Sequence, residues 1–409
     1  MSLRHVTFAF CGVLVPTVLH GQASNPRAPS GLSLDAAVDS ALRHNWDLRI
    51  MAAAGDSARA ETRMARALPN PTVAAIPNTP FQYAATLSVD LGPQRTYRTR
   101  ASELGARAAQ SDLREGTRQV VLSVRRAFSD VLLADARRDI VSSRRDIMAQ
   151  LVAADSARVR VGELPARALT RSQVELLRSE TDLARAGIDA QNTRLALQAV
   201  MGVAAADTAL LVLGDLEFRD LSFENAVDAV AVLARRPDVE SGRLRESQSE
   251  AAQGAARSLV LPVPQLTYVR QFNGPFESGH SYAFGVGVEV PILNRYGGQR
   301  ARADAAHEAA GVARRRLEAQ VARELQSTMV EFLAQRSLVL RYHSGVINKM
   351  AQGVEAARYA YSRGATSLLE VLDALRTQQD IMIEYRTALH DYWVAAYTLE
   401  AVRGMPPQG

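Results

Sequence analysis

The feature that most constrains this 409-residue chain is an internal repeat, because short segments recur in the same order in its two halves. The recurring segments are LSLDAAVDS at 32–40 with LSFENAVDA at 221–229, LPNP at 68–71 with LPVP at 261–264, and SVDL at 88–91 with GVEV at 287–290. Two glycines recur at an offset of 202 residues, Gly162 with Gly364 (364 − 162) and Gly202 with Gly404 (404 − 202). A repeat of this size predicts one body built from two similar halves.

The N-terminal segment is predicted to be a signal peptide. Arg4 and His5 give it a basic start, and the apolar run at 6–19 has signal-peptide length but is too short to span a bilayer. Small residues at the −3 and −1 positions predict cleavage by signal peptidase after Ala23. The single cysteine, Cys11, lies in the apolar run, so the mature chain is expected to lack disulfides and thiolate metal ligands.

Each half is predicted to open with a helix of moderate length. Ser33 and Ser222 suit the N-cap position, and each is followed by a carboxylate, Asp35 or Glu224, in the first turn. The prolines of LPNP and LPVP end these helices. Short strands follow in each half.

Very long helices are predicted after the strands. Residues 94–161 contain no proline, and residues 299–363 repeat this pattern in the second half. A helix of about 68 residues is about 100 Å long. Each long helix is expected to turn back at a glycine, Gly162 or Gly364, into a return helix. The predicted organisation is a signal peptide (1–23), a flexible leader (24–31), a first repeat of helix, two strands and long helical hairpin (32–203), a linker (204–220), a second repeat of the same parts (221–404) and a C-terminal tail (405–409).

The second pair of strands carries the clearest alternation. Tyr282, Phe284, Val286 and Val288 are large and apolar, whereas the residues between them are small or polar. Alternating segments of about 9–10 residues match the length of a transmembrane strand. The pattern favours a lipid-facing strand over the alternative, a small sheet half-buried on a soluble helical body.

Four strands are too few to close a barrel, since about eight is the practical minimum. An open sheet in lipid would leave unpaired backbone groups, which the hydrocarbon region does not tolerate. A cyclic homotrimer would pool twelve strands, so the sequence predicts an outer-membrane protein that oligomerises around an axis.

Other function classes find little support. The net charge of +5 comes from 48 basic and 43 acidic residues that are interleaved along the helices, which is typical of solvated faces rather than of a nucleic-acid site. Histidines beyond the signal peptide are scattered without metal-ligand spacing, at His44, His280, His307, His343 and His390. No phosphate loop or nucleophile elbow is present. We therefore expect neither an enzyme nor a bound cofactor or metal.

The order of these parts resembles the TolC family of outer-membrane efflux proteins over essentially the whole mature chain. The segments that carry the resemblance are the paired helix starts, LPNP and LPVP, VEVPILNRYG at 288–297 and YSRGATSLLEVLDAL at 361–375. The ALPNP and VGELP stretches are most similar to the outer-membrane component of heavy-metal efflux pumps.

This resemblance implies a mainly α-helical trimeric duct with a twelve-stranded β-barrel in the outer membrane and a coiled-coil α-barrel in the periplasm. It also implies that the hairpin tips at Gly162 and Gly364 contact a periplasmic adaptor (membrane fusion) protein. Through the adaptor the duct would meet an inner-membrane pump of the RND type, which supplies the energy. Two alternatives remain open: a duct for type I protein secretion and a structural coiled-coil protein of the envelope.

The resemblance also implies an acidic periplasmic entrance. Glu370 and Asp373 lie one turn apart after the Gly364 turn, where the family carries carboxylate rings, although spacing alone favours a solvated first turn in which Arg376 neutralises Asp373. Tyr361 matches a tyrosine that the family uses to hold the entrance closed. Arg167 either reaches one of these three residues or is exposed and unpaired.

Overall fold

The structure, a computed structural model, describes residues 31–77, 81–90, 92–204, 207–223, 228–272, 280–343 and 345–404. The predicted signal peptide, the leader up to residue 30, Glu224 and the tail 405–409 lie outside these ranges. Within them the helices are α1 (Leu34–His44), α2 (Trp46–Arg66), α3 (Pro93–Arg160), α4 (Ala166–Met201), α5 (Ala229–Arg235), α6 (Pro237–Ser258), α7 (Gly297–His343), α8 (Val346–Ser362) and α9 (Leu368–Val402). The strands are β1 (Thr72–Ile76), β2 (Gln82–Ser88), β3 (Pro264–Phe272) and β4 (His280–Val288).

The opening segment of each half is two helices, so the prediction of one helix was wrong. In the first half, Asn45 ends α1 and caps α2, because its side-chain oxygen accepts a hydrogen bond from the Leu48 amide at 3.1 Å. Its side-chain amide also donates to the Val200 carbonyl at 2.8 Å, so the break between α1 and α2 is held against α4. Tertiary contact, rather than local propensity, therefore fixes this break.

In the second half, Pro237 ends α5 because proline cannot continue a helix but suits the first position of the next one, α6. The predicted cap Ser33 is confirmed, since its hydroxyl oxygen accepts a hydrogen bond from Ala36. The predicted cap Ser222 was wrong, because Asp228 caps α5.

The four strands form one antiparallel sheet in the order β1-β2-β3-β4, so the two halves pair directly through β2 and β3. The register puts most of the large apolar side chains on one face, together with the charged Arg270: Val73, Tyr83, Leu87, Leu266, Tyr268, Tyr282, Phe284, Val286 and Val288. Apart from Ile76 and Val269, the opposite face is polar or small: Thr72, Gln82, Thr86, Gln265, Thr267, Gln271, Gly285 and Gly287. Phe284 is 85% exposed, so the apolar face is uncovered in one chain.

The first long helix is confirmed as a single rod, since α3 runs unbroken for 68 residues. The second was predicted to run from 299 to 363, and this was wrong. Gly345 separates α7 from α8 with a φ of 99°, in the left-handed region that ends a helix and that favours glycine.

Buried side chains form three clusters along the helical body. Two lie around the middle, one centred on Tyr392 and Phe332 and the other on Val124 and Leu197. The third lies near the hairpin ends and includes Tyr361. Of the helices that the structure describes, none is long and apolar enough to cross a membrane.

Candidate functional site

The end of the second hairpin positions the predicted entrance residues. Gly364 adopts a φ of 73° and ends α8, while the Ala365 amide donates to the Ala360 carbonyl at 2.9 Å. Ser367 then caps α9 by accepting a hydrogen bond from the Glu370 amide at 3.4 Å. These local rules fix the turn and place Glu370 in the first turn of the return helix.

Both carboxylates of the predicted pair are exposed at this end. Glu370 accepts a hydrogen bond from the Thr366 hydroxyl, whereas Asp373 has no hydrogen-bond or ion-pair partner in the described part of the chain. Arg376, which helical spacing offered as a partner for Asp373, instead lies 3.3 Å from Glu175 of α4. The acidic charge of the pair is therefore not cancelled by that arginine.

Arg167 lies in the first turn of α4, after the turn at Gly162, where φ is 80°. It is exposed and forms no hydrogen bond or ion pair with the residues that the structure describes. The first turn is therefore followed by charges of both signs, Glu163 and Arg167, whereas the second is followed by the carboxylates Glu370 and Asp373.

The Tyr361 hydroxyl donates a 2.8 Å hydrogen bond to Oδ1 of Asp155 on α3, which joins the two hairpins. Asp155 is 0% exposed and Tyr361 is 8% exposed. Burial and this hydrogen bond raise the pKa of Tyr361 to about 12, so the hydroxyl keeps its proton at physiological pH. Asp155 was missed in the sequence because nothing local distinguishes it from other helical carboxylates.

The surroundings of this bond are apolar on one side. Met148 and Leu151 of α3 and Val371 of α9 pack in the same cluster as Tyr361. The Arg158 guanidinium lies 5.7 Å from the centre of the Tyr361 ring, a cation–π distance. The second carboxylate oxygen of Asp155 is buried without a hydrogen-bond partner. The arrangement can hold two helices together, and it contains no nucleophile–base pair.

The histidines are dispersed. His390 lies between two carboxylates, 2.7 Å from Asp130 and 2.9 Å from Asp391, and His307 lies 3.1 Å from the Ser249 hydroxyl. The side chain of His280 lies outside the described residues. Within the described ranges, no group of three His, Cys, Asp or Glu side chains could hold a metal ion.

Comparison with known proteins identifies what the fold resembles. No family model matches the chain. The cobalt-zinc-cadmium resistance protein CzcC of Cupriavidus metallidurans is 27% identical over 388 residues, which cover 93% of this chain and 92% of CzcC.

Solved structures share the whole architecture. A membrane protein from Pseudomonas aeruginosa superposes with a TM-score of 0.80 at 20% identity, over 90% of this chain and 92% of that one. The CmeC outer membrane channel of Campylobacter jejuni superposes with a TM-score of 0.79 at 16% identity, over 91% of this chain and 85% of CmeC.

The fold, with a small sheet at one end of very long helical hairpins, is shared with solved outer-membrane channel proteins. The chain therefore resembles the TolC family of outer-membrane efflux proteins, in its fold and in its sequence similarity to CzcC.

Proposed function

We propose that three copies of this outer-membrane channel form the exit duct of a tripartite efflux pump. The observation that supports the trimer most directly is the sheet. Within the described ranges its two outer strands, β1 and β4, each have one edge without a partner strand, and one of its faces is largely apolar. Unpaired strand edges are not tolerated in lipid, whereas three sheets joined edge to edge would close into a barrel of twelve strands.

The helical body supports a duct that crosses the periplasm. The 68 residues of α3 extend about 100 Å from the sheet to the hairpin end. In this proposal the ends at Gly162 and Gly364 contact a periplasmic adaptor protein, which links the duct to an inner-membrane pump of the RND type. The apolar face of the sheet contacts outer-membrane lipid.

The cargo that we propose is a divalent transition-metal cation. CzcC is named as a cobalt-zinc-cadmium resistance protein, and Glu370 and Asp373 supply exposed negative charge at a hairpin end. In a trimer the pair would place six carboxylates around the periplasmic entrance. Rings of acidic side chains favour the entry of cations.

Location and assembly test the duct. The full chain, expressed in its own host, is expected in the outer-membrane fraction and as a trimer in mild detergent. Removing it is expected to lower tolerance of the host to cobalt, zinc and cadmium salts. A monodisperse monomer in detergent, or recovery in the soluble periplasm, would contradict the duct, and unchanged metal tolerance would contradict the cargo.

The acidic entrance is tested by the double variant Glu370→Ala/Asp373→Ala in planar bilayers. Removing six charges per trimer is expected to reduce cation selectivity and to weaken block by multivalent cations added on the periplasmic side. The matched control is Glu180→Ala/Asp189→Ala, which removes two exposed carboxylates from α4 away from the turn. If an assembled double variant keeps the selectivity of the wild type, the pair does not form the entrance.

A further inference from the structure

An open groove between α2 and the start of α3 concentrates positive charge at the sheet end of the helical body. Its volume is about 1370 Å³. Six arginines line this arginine groove: Arg59, Arg63, Arg66, Arg95, Arg100 and Arg107. Among the residues that the structure describes, the carboxylates that line it are Asp56 and Glu103, so the formal charge of this lining is +4 (6 − 2). Charge of one sign in a groove focuses the electrostatic field on an oppositely charged ligand.

Much of this charge is not satisfied within the chain. Arg59 pairs with Asp56, and Arg66 pairs with Glu103 at 2.5 Å. By contrast, Arg63, Arg100 and Arg107 are exposed and have no hydrogen-bond or ion-pair partner among the residues that the structure describes. These three guanidinium groups are available to an anion from outside.

Arg95 adds a fourth guanidinium group with N–H donors that are not used within the described part of the chain. Its Nη2 donates to the Arg66 carbonyl at 2.6 Å, which fixes the side chain across the groove. Its Nε is buried without a hydrogen-bond partner. A guanidinium held in this way can present its remaining donors to a phosphate without first losing rotamer freedom.

Helix geometry relates two arginines of the groove to the faces of the sheet. Arg98 on α3 pairs at 3.0 Å with Asp90, which continues the alternation of β2 on the polar face. Arg100 and Arg107 are two and nine positions after Arg98, and at 100° per residue both lie roughly opposite it on the helix. Arg100 and Arg107 therefore lie on the side of α3 away from the polar face of the sheet, which is the side on which lipid would surround the sheet.

We propose that the arginine groove binds the phosphate headgroups of anionic phospholipids in the membrane leaflet nearest the helical body. This inference rests on the proposed function, because it requires the apolar face of the sheet to lie in lipid. Arginine forks match phosphate oxygens in geometry and charge, and the groove begins a few residues from the strands. Lipid held there would fix the depth of the channel in the membrane.

The test measures retained lipid on the full-length trimer by native mass spectrometry. Phosphatidylglycerol and phosphatidylcholine are supplied in equal amounts, and the wild type is expected to retain phosphatidylglycerol preferentially. Each arginine near an anionic surface contributes about fivefold to binding. The variant Arg63→Gln/Arg100→Gln/Arg107→Gln is therefore expected to lose at least about tenfold in this preference. The control Arg160→Gln/Arg171→Gln/Arg323→Gln, which removes three exposed arginines away from the groove, is expected to keep it.

Two further measurements keep the test decisive if the triple variant does not assemble or if the bound anion is not a lipid. The single variant Arg100→Gln, together with a salt titration of the wild type, replaces the triple variant if that variant does not assemble, because screening should weaken headgroup binding. Inorganic phosphate at millimolar concentration distinguishes the ligand sources: a groove that selects lipid should keep its phosphatidylglycerol. Displacement by inorganic phosphate would mean a free-anion site and would overturn the lipid assignment.

The outcomes separate this inference from the proposed function. A wild-type trimer from the outer membrane with no preference for phosphatidylglycerol, or equal losses in the groove and control variants, would overturn the arginine groove as a lipid site and leave the duct intact. A soluble monomer would overturn the duct and this inference with it.

Discussion

The two hairpins share a plan but differ in one helix. In the first, α3 is a single rod, whereas in the second the equivalent rod is divided into α7 and α8 at Gly345. The packing stripes of the long helices align at one offset, since Val120 and Val321 (321 − 120 = 201) are both buried, as are Val131 and Phe332 (332 − 131 = 201). The two turn glycines align at an offset of 202 instead. One residue is therefore inserted between position 332 and the turn.

An inserted residue would rotate all later side chains by about 100° and turn the packing face away from its neighbours. Gly345 lies between Phe332, where the offset is 201, and the turn glycine, where it is 202. The interruption there lets α8 begin in the register that the turn requires. The comparison shows that one half of a repeat can gain a residue and still keep its packing face, because a helix break at a glycine restores the register of the side chains.

The halves also differ in the side chains at the hairpin ends. With the offset of 202, the second half has Tyr361, Glu370, Asp373 and His390 where the first has Val159, Ala168, Arg171 and Ile188. The backbone follows the repeat here, while these four polar side chains occur in the second half only. The contacts of Tyr361 with Asp155 and of His390 with Asp130 consequently have no counterpart from the equivalent positions of the first half.

The largest expected effect tests whether the halves are equivalent in the sheet. Val286 of β4 and Leu87 of β2 both lie beside Leu266 on the apolar face. Replacing either with arginine should cost about 2–4 kcal/mol if this face lies near the middle of the bilayer. Trimer yield and heat resistance would be compared with Gly287→Arg, which adds charge to the opposite face. A worse defect at Gly287 would mean that the faces are assigned to the wrong sides.

The next effect tests the contact that only one half supplies. Tyr361→Phe removes the hydrogen bond to buried Asp155 and should reduce local stability by about 1.5–3 kcal/mol. Hydrogen exchange of the α8 amides would report the loss, because it measures local opening. The counterpart change in the first half, Val159→Ala, should have a smaller effect. Equal protection of α8 in the wild type and in Tyr361→Phe would show that the bond does not hold the hairpins together.

A smaller effect concerns the helix interruption. Gly345→Ala should cost about 1–2 kcal/mol, because alanine is strained at a φ of 99°. A β-carbon there would meet no atom within 4 Å, so the cost is one of backbone conformation alone. Ser143→Ala, at the equivalent place in unbroken α3 (345 − 202 = 143), should change stability by no more than about 0.5 kcal/mol. Thermal unfolding would measure both variants, and a larger loss of stability in Ser143→Ala than in Gly345→Ala would contradict this account.

The smallest effect is a pH dependence that the first half lacks. Burial lowers the pKa of His390, but hydrogen bonds to Asp130 and Asp391 outweigh it and raise the pKa above its ordinary value. The stabilisation is complete below the unfolded pKa, about 6.5, and is lost as pH rises through the higher folded pKa. It should be under about 1 kcal/mol, because the aspartates are exposed.

The free energy of unfolding of the wild type and of His390→Gln, measured from pH 6 upward, would give the contribution of His390 to the pH dependence of stability. The variant should lose part of the decline in stability that the wild type shows with rising pH. Parallel curves for the two proteins would rule out a contribution from His390.

The sequence predicted what depends on short-range rules. Alternation located β2 and β4 most clearly, the absence of proline located α3, and the repeated glycines located the turns at Gly162 and Gly364. These features follow from backbone restrictions that a residue carries wherever it occurs.

Features set by tertiary contact were missed. Gly345 interrupts a helix whereas Gly105 and Gly116 do not, and only the change of offset distinguishes it. Asn45 was not recognised as a cap because its second partner, Val200, lies 155 residues away. The pairing of Arg376 with Glu175 across two helices likewise could not be inferred from helical spacing.

The interruption at Gly345 also has a mechanical consequence. The 17 residues of α8 span about 25 Å between the interruption at Gly345 and the hydrogen bond from Tyr361 to Asp155. Any change of backbone conformation at Gly345 would therefore displace the Tyr361 end of α8 further than the end beside Gly345. In the first hairpin α3 is continuous over 68 residues, so that helix has no equivalent point of rotation.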